Sequence, residues 1–349
     1  MVNNNKIPVG VIGATGSVGQ KFIQLLSDHP WFSIKELAAS ESSSGKKYED
    51  AVDWFLSTPI PDRVKNIEVK KCKPNLDCKI VFSGLDSSIA GDIETDFAEK
   101  GYAVISNSRN HRMDESVPLL IPEINPDHIE LVKKQMFEEG FITTNPNCSV
   151  IGLCMSLKPL VDNFGIEQVN VVTMQSVSGA GNPNKTNMNI EDNVIPFIAG
   201  EEEKMESEPL KIFGAVNGNK IIYSKFDISA QCNRVNVTDG HLETVQVKLK
   251  NPANLKDIIN LWKNFSAVPQ ELKLPLAPLN PIRYFDEEHY PQPKLHRDLE
   301  KGMAVSVGKL KKDKFFDFRF TVLSHNTARG AAGGAIIGAE LLYAMKYFQ

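Results

Sequence analysis

No two of the five cysteines, Cys72, Cys78, Cys148, Cys154 and Cys232, have Cys-x-x-Cys spacing, and no cluster of histidines accompanies them. A bound metal is therefore not expected. An odd, scattered set is too thin for a disulfide framework and fits a reducing compartment. No apolar run approaches the length of a membrane span. The stretch from Met1 to Ile12 lacks the successive charged, apolar and small-residue regions of a signal or transit segment. These absences predict a cytoplasmic protein. Charge of one sign is also scarce, because the formal net charge is only −4. Nothing there calls for nucleic acid or an anionic membrane as partner. The short basic runs from Lys70 to Lys73 and from Lys309 to Lys314 read as solvated surface. Internal repeats and low-complexity tracts are missing too.

What is present suits a globular enzyme. A chain of 349 residues exceeds the size at which one core usually stops growing, so two domains are expected. Ile7 to Ile12 reads as a buried strand, and Phe22, Leu25 and Leu26 mark one face of a helix that follows. Between them lies Gly13-Ala14-Thr15-Gly16-Ser17-Val18-Gly19, a Gly-x-x-Gly-x-x-Gly turn whose glycines let backbone approach a pyrophosphate. Strand patterns at Ile34–Ala39, Ile80–Leu85 and Tyr102–Ser106, with a helix from Ile89 to Lys100, predict a doubly wound parallel sheet. The loop after the second strand, Ser40 to Lys47, is rich in hydroxyls and carries two lysines. That composition suits a 2′-phosphate, with Glu41 as the discordant residue. Asn107 to Arg112 follows the carboxyl end of another strand and brings two arginines where such sheets bind ligands.

Beyond residue 148 the pattern changes. Gln168–Gln175, Arg234–Thr238, Leu242–Leu249, Met303–Lys309 and Phe315–Leu323 alternate like strands without helices of equal weight between them. A mostly antiparallel second sheet is predicted, crossed by one helix from Leu255 to Phe265. The proline-rich stretch from Pro269 to Pro293 is expected to be irregular. From Asn326 the tail opens a helix of small residues, so that another helix, the first domain or a cofactor must approach it closely.

The chemistry concentrates near Cys148. Phe141 to Thr144 ends a strand, and Val150, Ile151, Leu153, Leu157 and Leu160 recur at helical spacing after the turn Asn145-Pro146-Asn147. A thiol on the first turn of a helix faces unpaired N–H groups and the positive end of the dipole, which favours a thiolate. The same groups can hold an oxyanion. His241 has the intrinsic pKa of an acid/base partner, and Arg234 offers a fork that matches a carboxylate. Gln175 precedes the small-residue turn Ser178-Gly179-Ala180-Gly181.

Taken in order, GATGSVG at Gly13–Gly19, SNSRNHRMD at Ser106–Asp114, NPNCSV at Asn145–Val150 and MQSVSGAG at Met174–Gly181 carry a resemblance. GEEEK at Gly200–Lys204, RVNVTDGH at Arg234–His241 and HNTARGAAGG at His325–Gly334 complete it. Over essentially its whole length the chain resembles aspartate-semialdehyde dehydrogenase, in its archaeal and fungal branch. The resemblance implies a Rossmann-type domain, residues 1–147 with 326–349, and an α+β catalytic and dimerisation domain, residues 148–325. It implies a homodimer or homotetramer that uses NADP and no metal.

On that resemblance Cys148 would be the nucleophile, His241 the general acid/base, Gln175 an orienting residue and Asn147 its neighbour beside the thiol. Arg234 would bind the substrate carboxylate, Arg112 its phosphate with Lys204 assisting and Asn107 nearby, and Glu201 or Glu202 its amino group. Gly13, Thr15, Gly16, Ser17 and Val18 would line the dinucleotide. Ser40 and Ser43 would lie near the 2′-phosphate, and Ser178, Gly179 and Asn326 near the nicotinamide. The implied reaction reduces L-aspartyl 4-phosphate to the semialdehyde through a thioester, in lysine, threonine, methionine and isoleucine biosynthesis. A malonyl- or succinyl-CoA reductase of the same branch, and a Rossmann scaffold without activity, are the competing readings.

Overall fold

The computed structural model describes residues 6–181 and 190–348. The first half alternates strand and helix: β1 (Ile7–Ile12), α1 (Ser17–Leu26), β2 (Phe32–Ala39), the one-turn helices α2 (Tyr48–Ala51) and α3 (Asp62–Lys65), and β3 (Val69–Lys71). It continues through β4 (Ile80–Ser83), α4 (Ser87–Glu99), β5 (Ala103–Ser106) and β6 (Phe141–Thr144). These strands form a six-stranded sheet in the order β3-β2-β1-β4-β5-β6. All neighbours in it are parallel, as the alternation predicts. Phe22 and Leu26 of α1 are buried on the sheet beside Phe82 and Ile105. Gly13 adopts φ +76°, and a Cβ there would stand 2.7 Å from the carbonyl oxygen of Gly84, so the turn closes tightly only with glycine.

The second half contains α5 (Cys148–Phe164), β7 (Ile166–Gln175), β8 (Val194–Ile195), α6 (Glu201–Ile212), the hairpin β9 (Ala215–Asn217) and β10 (Lys220–Ile222), β11 (Asp227–Val235) and β12 (His241–Leu249). After them come α7 (Leu255–Lys263), α8 (Val268–Glu271), β13 (Ile282–Phe285), α9 (Pro293–His296), β14 (Val305–Lys312), β15 (Phe318–Ser324) and α10 (Gly333–Ala344). The large sheet runs β13-β14-β15-β12-β7-β11-β8. Its centre, β14 to β7, is antiparallel, while β13–β14 and β7–β11 pair in parallel, so the sheet is mixed. Helix α5 lays Val150, Leu153, Leu157 and Leu160 onto this sheet, all fully buried. Burying each stabilises the packing by about 1.5–3 kcal/mol relative to exposure.

Three expectations change. The strand expected from Arg234 begins at Asp227 and stops at Val235, because Val237 turns back to bond Val235 and receives the N–H of Val177. The proline-rich stretch is not irregular throughout, since Ile282–Phe285 pairs in parallel with β14. The tail helix starts as a wide π turn over Ala328–Ala332 before α10 proper. Its small residues meet the Cys148 turn: a Cβ on Gly330 would lie 2.9 Å from Cβ of Cys148, and one on Gly334 would lie 2.4 Å from Oδ1 of Asn145. Helix α10 itself packs into the core of the parallel sheet through Ala335, Ile336 and Leu342. Among the described residues no helix is long and apolar enough to cross a membrane.

Candidate active site

The turn from β6 into α5 is held from three sides. Asn145 Nδ2 donates to Asn107 Oδ1 at 2.9 Å and to the carbonyl of Gly330 at 3.2 Å, tying two loops of the parallel sheet to the tail. Asn147 caps α5, its side chain accepting from the N–H of Ser149 at 2.9 Å. Cys148 is the first residue of the helix, half-buried at the edge of a cavity of about 300 Å³.

Sγ of Cys148 lies 3.2 Å from Nε2 of His241, the buried first residue of β12. Nδ1 of His241 accepts the backbone N–H of Ser176 at 3.0 Å. A nitrogen that accepts an N–H carries no proton, so the neutral ring holds its proton on Nε2, facing the sulfur. Burial, with Arg234 alongside, pushes the imidazole down to about 3. Burial, reinforced by Glu201, pushes the Cys148 thiol up to about 12 against the pull of Arg234, Arg112 and Lys204. The thiolate expected from the helix N-terminus is thus not the resting form. The cost of an anion packed beside Glu201 outweighs the dipole, whose effect is worth about 0.3–1 kcal/mol. The resting pair is uncharged.

Ser176 went unnoticed in the sequence, hidden in a run of small residues. Its hydroxyl lies 3.2 Å from His241 Nδ1 and donates to Asn326 Oδ1 at 3.1 Å, which leaves a lone pair to accept Nδ1–H whenever the ring gains a proton. Asn326 also accepts the N–H of Gly240 at 2.9 Å and donates to Ser178 Oγ at 2.8 Å, so one amide orders both sides of the histidine.

A second cluster surrounds Glu201. Its carboxylate accepts from Asn147 Nδ2 at 3.0 Å, Gln175 Nε2 at 3.1 Å and Lys204 Nζ at 2.6 Å. Burial pushes this carboxyl up, but the lysine and the two amides outweigh it and hold the group below its ordinary value. Glu202 instead accepts the N–H of Cys232 at 3.1 Å, turned toward β11. Of the two glutamates, Glu201 faces the cavity. Arg234 aims Nη1 at the carbonyl of Ser176 at 2.8 Å, and a Cβ on Gly179 would stand 2.7 Å from that same nitrogen.

Arg112 is buried and paired with Glu208 at 2.9 Å, and Glu208 also accepts the N–H of Asn147 at 2.7 Å. Lys211 bonds the carbonyls of Arg112, Asp114 and Val117 and fastens this loop to α6, its burial lowering the amine to about 8. Neither Glu208 nor Lys211 is evident from sequence, because both lie in a charged helix that reads as a solvated face.

The cavity is lined by Asn107, Arg112, Asn147, Cys148, Gln175, Glu201 and Lys204 together with Ser17, Val18, Ser178, Gly179 and Asn326. Arg234 and His241 stand behind Gly179 and Cys148. Gly13, Thr15, Gly16, Ser40 and Ser43 are outside its lining. The first three form the turn whose helix supplies Ser17 and Val18, which fits a nucleotide laid from the turn toward Cys148. Ser40 and Ser43 sit past the carboxyl end of β2. There the discordant Glu41 is ion-paired to Lys71 at 2.9 Å. Among the described residues no group of His, Cys, Asp and Glu side chains is placed to hold a metal ion.

This is the architecture of a semialdehyde dehydrogenase: residues 8–132 match the family described as "Semialdehyde dehydrogenase, NAD binding domain", and residues 157–329 match "Semialdehyde dehydrogenase, dimerisation domain". Aspartate-semialdehyde dehydrogenase of Archaeoglobus fulgidus is 48% identical over 96% of this chain and 97% of its own length. The enzyme of Candida albicans is 45% identical over 96% and 97%. The chain belongs to the aspartate-semialdehyde dehydrogenase family. The crystal structure of the Candida albicans enzyme with NADP superposes with a TM-score of 0.92 at 42% identity, covering 99% of this chain and all of that one. Aspartate semialdehyde dehydrogenase II of Vibrio cholerae, complexed with ASA, superposes with 0.78 at 27% identity, covering 99% of this chain and 100% of that one.

Proposed function

We propose that the chain catalyses the reversible, NADP-dependent conversion of L-aspartyl 4-phosphate to L-aspartate 4-semialdehyde and phosphate, in the biosynthesis of lysine, threonine, methionine and isoleucine. The observation that carries this reading is the 3.2 Å contact of Cys148 Sγ with His241 Nε2, at a cavity also lined by Ser17 and Val18 at the start of α1. The cofactor-binding part is assigned to residues 1–147 with 326–349, and the catalytic and dimerisation part to 148–325. The five free cysteines suit a cytoplasmic enzyme. A homodimer or homotetramer is assigned, with the second domain as its contact.

In the reductive direction the substrate carboxylate docks on Arg234 and its ammonium on Glu201. His241 first passes its ring proton from Nε2 to Nδ1, where the Ser176 hydroxyl accepts it, and the freed Nε2 then takes the thiol proton. Sulfur then attacks the acyl carbon, the C–O bond to phosphate breaks, and a Cys148 thioester remains. The N–H of Cys148 at the start of α5, with the side-chain amide of Asn147 once Glu201 turns to the substrate ammonium, holds the carbonyl oxygen as charge builds on it. A bound nicotinamide supplies the hydride for the second half. His241 returns its proton to the oxygen that develops there, and the same proton is withdrawn as the carbonyl re-forms and thiolate departs. Splitting one acyl reduction into two steps is what the covalent intermediate contributes.

Glu201 in the cavity favours an amino-acid substrate over an acyl-CoA, because a substrate ammonium can take the place of Lys204 on its carboxylate. Mass spectrometry of protein quenched from semialdehyde and NADP without phosphate tests the assignment. An acyl adduct on Cys148, present in Cys154→Ala and missing in Cys148→Ala, is expected. An adduct elsewhere, or none, contradicts it.

A further inference from the structure

The cations that line the reaction cavity differ in what already neutralises them. Arg112 is buried against Glu208 at 2.9 Å, and that carboxylate is pinned by the N–H of Asn147. Lys204 is paired with Glu201 at 2.6 Å. Lys21, at the side of α1, lies near Asp239 and Asp298, which offset its charge. Arg234, set behind Gly179 rather than in the lining, is matched to the substrate carboxylate in the function proposed above. A phosphate dianion entering beside Arg112 therefore meets a guanidinium whose charge is already balanced, although its donors remain.

Arg109 is different. It is exposed, it lines the same cavity as Arg112, Lys204 and Cys148, and among the described residues it has no hydrogen bond or ion pair from its side chain. A Cβ on Gly200, the residue before α6, would lie 3.9 Å from its Nη1, so the guanidinium stands at the start of the helix that carries Glu201 and Lys204. Asp86, which caps α4 through the N–H and hydroxyl of Ser88, keeps its charge and offsets Arg109 in part, without forming an ion pair with it.

Resting on the function proposed above, we infer that Arg109 supplies the unpaired positive charge of the phosphate subsite, drawing in the acyl phosphate or free phosphate and setting preference for it over an uncharged acyl acceptor. Arg112 gives directional donors and Arg109 gives net charge. When Glu201 turns to the substrate ammonium, Lys204 is released to join them, so the second charge of the dianion is met only with substrate present.

The test uses Arg109→Gln and Arg109→Lys. With semialdehyde and NADP fixed and phosphate varied, Arg109→Gln should raise the KM for phosphate about 10-fold or more, as expected for a lost charge-assisted contact. The KM values for semialdehyde and NADP should stay close to wild type, and Arg109→Lys should recover most of the loss. A change in KM for NADP instead, or a fall in kcat alone, overturns the inference. A second readout needs no turnover: phosphate should slow alkylation of Cys148 by iodoacetamide in wild type and not in Arg109→Gln. Equal protection of both proteins overturns the inference. Protection confined to wild type, in a protein silent with semialdehyde, upholds Arg109 while removing the proposed reaction.

Discussion

At His241 and Cys148 two titratable groups are held uncharged by burial, in opposite directions. The imidazole falls from 6.5 to about 3 and the thiol rises from 9.0 to about 12. Between pH 6.5 and about 3 the unfolded chain binds a proton at His241 that the folded chain refuses, so stability drops as pH falls through that window. Above pH 9.0 the unfolded thiol releases a proton that the folded one keeps, so stability drops again as pH rises toward about 12. Urea midpoints across pH should show a flatter acid limb in His241→Asn, with His325, itself lowered to about 4, responsible for part of what remains. Cys148→Ala should flatten the alkaline limb. Curves parallel to wild type in both variants would contradict this account. The sequence points to both residues, but not to their resting charge, because a helix start is a local feature and burial is not.

The turn from β6 to α5 and the tail form one unit, with Gly330 seated on Cys148. A Cβ at Gly330 would meet Cβ, O and Cα of Cys148 between 2.9 and 3.0 Å, with backbone that has nowhere to go. Gly330→Ala should displace the thiol by a fraction of an ångström and lower kcat by about 100-fold, as misplaced reacting groups do. Wild-type kcat in a folded variant would show the contact to be incidental. The elements with strong periodicity were legible: β1 and α1 around the glycine turn, and α5 with its fully buried Val150 and Leu153. β13 was not, because prolines flank it and only its pairing with β14 makes it a strand. β11 was only partly legible. Asp227, Ser229, Gln231 and Asn233 alternate with Ile228, Ala230 and Cys232, but two of those three inward residues are small and weakly apolar, so its first half reads as loop.

Across the whole molecule, the parallel sheet supplies Ser17, Val18, Asn107 and Arg112, and the mixed sheet supplies Gln175, Arg234 and His241. Cys148 stands on the helix that leaves one sheet to cover the other, which is why the chain needs both. Spacing in sequence suggested candidates for such a site. It did not reveal Glu208, Lys211 or Ser176, whose partners lie 96, 99 and 65 residues away at Arg112, the Arg112 carbonyl and His241. The measurement that tests the account most directly is nicotinamide absorbance on mixing the protein with L-aspartate 4-semialdehyde, phosphate and NADP. NADPH should accumulate only when phosphate is present, and Cys148→Ala should be silent. No signal with either NADP or NAD, or a signal that requires coenzyme A in place of phosphate, would contradict it.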